Sequence, residues 1–166
     1  MKFDTIEAIR EGGFSGFKTA PELRQSELSD VPSVSGVYMV CRDPAARPVF
    51  AAKSRGGRFK GKDPTVDLAT LEVNWVPGSA VLYIGKAGGG ESLATLRKRL
   101  KSYLRFGGGD PVGHWGGRLI WQLEDPNSLL FCWRPAGDTD ARELERELLQ
   151  EFIRTYGVRP FANLRD

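Results

Sequence analysis

Cysteine and histidine are scarce in this chain. Its 166 residues include two cysteines, Cys41 and Cys132, and a single histidine, His114. Two thiols make no disulfide framework, and one imidazole cannot supply a two-histidine zinc motif. Each cysteine sits in a short apolar run and reads as a small buried side chain in a reducing compartment. Long apolar runs are also missing. None approaches the ~20 residues of a membrane-spanning helix, and the opening Met1-Lys2-Phe3-Asp4 has no stretch of the signal-peptide kind. No serine nucleophile elbow and no cysteine pairs of zinc spacing occur. With 40% hydrophobic and 27% charged residues, the chain is expected to form one soluble, cytoplasmic domain with no membrane partner.

What is present is local positive charge. The net charge is only +3, a weak global argument for an anionic partner. Lys53, Arg55, Arg58, Lys60 and Lys62 form one basic run, and Arg97, Lys98, Arg99, Lys101 and Arg105 form a second with no acid among them. Such runs are ordinarily solvated faces, but two in a short chain suit a phosphate track. Substrate contact is therefore expected from Arg97, Lys98, Lys101, Arg105, Lys60 and Lys62. The stretch Gly56–Asp63 nearly spells a Walker A loop. Its last position holds Asp63 rather than the hydroxyl residue that binds magnesium, and Pro64 follows, so a nucleotide loop is rejected.

Periodicity gives an outline. Residues 1–32 read as a helical extension of two short helices around Gly12-Gly13-Phe14-Ser15-Gly16. Gly36–Cys41, Ala80–Gly85 and Leu129–Trp133 are β-branched or apolar runs and read as strands. Glu91–Phe106 and Asp138–Tyr156 carry apolar residues at helical spacing and end at glycines. Residues 43–80 are an irregular basic segment, and 110–128 are undecided between strand and helix. The expected fold is α/β in the α+β sense: a small antiparallel three-stranded sheet flanked by helices.

The informative constellation is spread out. Gly36-Val37-Tyr38, Tyr83-Ile84-Gly85-Lys86, Arg99, Glu151 and Asn163 follow one another in that order. Singly each is weak: a strand tyrosine is usually core, and a helical arginine or glutamate is usually solvated. Together they resemble the GIY-YIG nuclease superfamily. Tyr83–Ala87 with Leu96–Tyr103, and Glu151–Tyr156 with Pro160–Asn163, are similar to the N-terminal nuclease module of the bacterial excision-repair incision protein. Asn163 follows Glu151 by twelve positions, as in that module. The resemblance covers residues 33–42 and 80–166. One departure stands out: 44 positions separate Tyr38 from Tyr83, where the family usually has a short hairpin, so residues 43–80 would be an insertion at one hairpin end.

The resemblance implies a metal-dependent endonuclease that hydrolyses phosphodiester bonds, with DNA as substrate, in repair, restriction, defence or mobile-element movement. Glu151 would hold one divalent cation, Mg²⁺ or Mn²⁺, with Glu147 the runner-up; Glu145 falls nearer the apolar stripe of its helix. Arg99 would sit on the scissile phosphate, where a planar fork suits the geometry. Tyr38 would orient or deprotonate the attacking water, its phenol lowered by Lys86. Tyr83 and Tyr103 would assist by hydrogen bonding, and Asn163 would fix the glutamate or close the site. His114 could enter the site as acid or base, or be a loop or core histidine. A reading from a different class is a nucleic-acid-binding module that does not cleave.

Overall fold

The computed structural model describes residues 1–164. The strands are β1 (Ser15–Thr19), β2 (Gly36–Cys41), β3 (Val81–Ala87) and β4 (Leu130–Pro135). They form one antiparallel sheet in the order β1-β4-β2-β3. The helices are α1 (Ile6–Glu11), α2 (Ala20–Gln25), α3 (Leu68–Asn74), α4 (Leu96–Gly107) and α5 (Ala141–Tyr156). The architecture is α+β, with four strands where the sequence suggested three.

The additional strand is β1. Its sequence, Ser-Gly-Phe-Lys-Thr, has none of the alternation that marks a half-buried strand. It is held by backbone pairing with β4, from Ser15 opposite Trp133 to Thr19 opposite Leu130, with a bulge between Gly16 and Lys18. The expected N-terminal helical extension is thus two short helices with an edge strand between them.

Central β2 is buried along its whole length. Its alternation sends Val37, Met39 and Cys41 to one face and Tyr38 and Val40 to the other, into two separate apolar clusters. Helix α4 covers the tyrosine face through Leu96, Leu100, Tyr103, Leu104 and Phe106. Helix α5 covers the opposite face through Leu148 and Phe152. Each buried leucine contributes about 2 kcal/mol of apolar transfer to this packing.

Two helix starts differ from the periodic outline for the same reason, a side-chain cap. Thr95 accepts from the Lys98 N–H and begins α4 at Leu96, which leaves Leu93 in the preceding loop and 90% exposed. Asp140 accepts from the Arg142 N–H and begins α5 at Ala141. Such caps stabilise a helix by about 1 kcal/mol.

Strands β2 and β3 pair directly, Tyr38 opposite Gly85, and residues 43–80 leave and rejoin that pair. The segment is anchored by buried Gln122, whose Nε2 donates to Ala51 O and Val66 O and whose Oε1 accepts from Val66 N. Phe50 and Trp75 pack on Phe161. Residues 118–122 form a 3-10 turn rather than strand or α-helix. Among the described residues, no helix is long and apolar enough to cross a membrane.

Candidate functional site

Tyr38 and Tyr83 reach the same face from neighbouring strands, with ring centroids 5.9 Å apart. Glycine between them is a packing requirement. A Cβ on Gly85 would lie 2.7 Å from Tyr38 Cζ and 2.8 Å from both its hydroxyl and Tyr83 Cε1. The phenol therefore lies flat across the strand where a side chain would otherwise stand.

From the covering helix, Arg99 and Tyr103 face the pair one turn apart. Tyr103 lies 5.8 Å from Tyr83 and 6.3 Å from Tyr38, centroid to centroid, and its hydroxyl donates to Gly117 O at 2.8 Å. His114 stacks on Tyr103 at 4.4 Å, and its Nε2 lies 3.5 Å from the Tyr38 hydroxyl. His114 is 1% exposed, and among the described residues neither its Nδ1 nor the buried Nε of Arg99 has a hydrogen-bond partner.

Burial governs the proton affinities here. It pushes the phenol of Tyr38 well above its ordinary value, with Tyr83 adding to the rise and Arg99 opposing it. Burial also raises Tyr83, against the pull of Arg99 and Tyr38. Tyr103 is raised well above the ordinary value by burial and by its two phenolic neighbours. His114 is lowered to about 3, by burial first and by Arg99 second. At neutral pH the cluster is three neutral phenols and a neutral imidazole around one guanidinium. The expected lowering of Tyr38 by Lys86 is not found: Lys86 stands opposite Val37, so strand alternation puts it on the other sheet face from Tyr38, and its Nζ pairs with the Glu145 carboxylate at 3.3 Å.

The cluster opens at Tyr83, into a cavity of about 240 Å³ that Trp115, Gly117, Arg118, Glu145 and Asn163 also line. Asn163 donates to Ile84 O at 2.7 Å and accepts from Ile84 N at 2.9 Å. It closes the outer edge of β3 rather than fixing a glutamate. The carboxylate at this opening is Glu145.

Glu151 stands elsewhere on α5, and its carboxylate pairs with the Met1 ammonium. Met1 packs with the apolar cluster on the sheet face opposite Tyr38. Glu151 follows Glu145 by six positions, about 120° around the axis, and is not among the residues that line the cavity. Glu147 is exposed. A signal for Glu145 was available: it precedes Leu149 by four positions, and both line the cavity.

The basic runs are largely engaged in local structure. Arg97 donates to Val31 O and Ser29 O, and Arg105 pairs with Asp110 at 2.7 Å. Arg55 donates to Glu124 O, Arg58 pairs with Asp63, and Lys60 lies over the Phe59 ring. Lys62, Lys98 and Lys101 are exposed.

Among the described residues, no three histidine, cysteine, aspartate or glutamate side chains gather as a ready-made metal cage. Among the described residues, a cation at the opening would have one protein carboxylate, Glu145. That donor set suits only a hard ion such as Mg²⁺, which keeps several waters and takes substrate oxygens. No family model matches the chain, and neither curated proteins nor solved structures give a significant match.

Proposed function

We propose that this chain is a metal-dependent endonuclease of the GIY-YIG kind, hydrolysing phosphodiester bonds in DNA. The observation that carries the reading is the convergence of Tyr38, Tyr83 and Arg99 beside a cavity that Glu145 lines, its one carboxylate among the described residues. Glu145 takes the role that spacing assigned to Glu151. It lies eighteen positions before Asn163 rather than twelve, a departure from the family pattern.

Arg99 supplies permanent positive charge to the scissile phosphate; its buried Nε has no partner among the described residues. Tyr83, at the opening, donates to the attacking water or a phosphate oxygen. Tyr38 is fully buried behind it and acts on Tyr83 rather than on substrate. His114 is too weak a base at about 3 to hold a proton at pH 7, where roughly one molecule in ten thousand is protonated. Its Nε2 lies 3.5 Å from the Tyr38 hydroxyl and its ring stacks on Tyr103, so it holds the phenols in place, a positioning role. Glu145 would hold the divalent cation, which would supply charge neutralisation at the phosphate and activation of the attacking water. Lys86, which holds that carboxylate otherwise, is near enough to turn to a phosphate.

Nicking of supercoiled plasmid in Mg²⁺ or Mn²⁺ tests the reading. Arg99→Ala is expected to lower the rate by about 100-fold or more, and excess EDTA to abolish it. Full activity of Arg99→Ala, or activity in EDTA, would reject the site. One observation favours the non-cleaving alternative: the Glu145 carboxylate is already engaged by Lys86. Under that alternative, DNA is bound and no nick appears with either metal.

A further inference from the structure

A second depression adjoins the opening and shares Glu145 and Leu149 with it. Its volume is about 480 Å³, and Lys86, Arg142, Arg146 and Arg159 line it. Arg142 and Arg146 are four residues apart on α5, so they stand on one face of the helix, and both are exposed. Among the described residues, the acids shown near these cations are Glu145, Asp140 and Glu143. Glu145 is shared with the cavity, and Asp140 lies near Arg142. Glu143 approaches Arg146 only to 3.8 Å, with both side chains more than half exposed. Such a pair contributes little and yields readily to a phosphate. Within the opening, Arg118 lies 4.8 Å over the Trp115 ring. Cations therefore line both depressions, which adjoin at Glu145 and Leu149 and together form a groove.

We infer that this groove, with Arg142 and Arg146 as its principal contacts, carries the sugar-phosphate backbone of one DNA strand into the site. The inference rests on the nuclease reading above and moves the substrate track away from the basic runs that sequence picked out. Its ground is charge complementarity and continuity with the opening. In those runs Arg97 and Arg105 are spent on loop carbonyls and Asp110, whereas the α5 arginines project along the path to Glu145.

The test is fluorescence anisotropy of a short labelled DNA oligonucleotide in EDTA, titrated with the full chain at several salt concentrations. Arg142→Ala/Arg146→Ala is compared with Lys98→Ala/Lys101→Ala, which removes the same charge from exposed positions on α4. Circular dichroism checks that both fold. The α5 pair is expected to weaken binding by about tenfold or more and to reduce the salt slope by about 1.4, two phosphate contacts at roughly 0.7 each. The α4 pair is expected to change binding by less than about twofold. Wild-type binding that the α4 pair weakens as much as the α5 pair, or that the α5 pair leaves intact, overturns the groove and leaves the cleavage site standing. A wild-type chain that binds no DNA overturns both.

Discussion

A neutral imidazole enclosed by phenols makes His114 a source of acid sensitivity. Its value of about 3 in the fold lies below the ordinary 6.5. Below 6.5 the unfolded chain takes up a proton that the folded chain refuses until about pH 3. The sign is therefore fixed: this contribution is present in full above the unfolded value and is lost as pH falls through that window. Between about pH 7 and pH 4.5 the loss is on the order of 2–3 kcal/mol. Urea denaturation at the two pH values should show His114→Gln losing less stability on acidification than wild type, by about that amount. Equal losses in the two proteins would mean that His114 is not held neutral. Carboxylates titrate in the same range, and comparison with the variant removes them.

At the scale of elements, legibility followed burial on both sides. Strands β2, β3 and β4 are continuous apolar runs because helices cover both faces of the sheet, and such runs stand out in sequence. Helices α4 and α5 each bury one stripe and show it at helical spacing. Strand β1 was hidden because its stability is in its partner. Gly16 has φ +96 and lies against the Trp133 indole, where a Cβ would come within 2.7 Å of Cζ2. Gly16→Ala combines backbone strain with overpacking against a 3%-exposed tryptophan and should destabilise the chain by about 2–4 kcal/mol. A midpoint shift in chemical denaturation measures this. A shift of less than about 0.5 kcal/mol, the scale of a surface change, would mean that β1 does not hold the slot around Trp133.

Across the whole molecule, the tyrosines and Arg99 were readable from order along the chain, because strands, register and the first turns of α4 bring them together. The carboxylate was not. Spacing to Asn163 picked Glu151, but the face of α5 that turns toward Tyr83 is set by how Leu148 and Phe152 seat in the far cluster, and that seating aims Glu145 instead. The partner of Glu151, the Met1 ammonium, is 150 positions away and leaves no local trace in the sequence. His114 is likewise positioned by a glycine-rich loop with no periodicity. In the basic runs, hydrogen bonds to carbonyls and nearby acids engage several of the charges, a tertiary effect that composition does not show.

Glu145 and Glu151 are the two glutamates that the proposed chemistry must choose between. Side-by-side rates of plasmid nicking in Mg²⁺ for Glu145→Gln and Glu151→Gln settle the choice. The prediction is a loss of about 100-fold or more for Glu145→Gln, with Glu151→Gln within about threefold of wild type once its stability is matched. Full activity in Glu145→Gln, with loss confined to Glu151→Gln, would contradict the site described here.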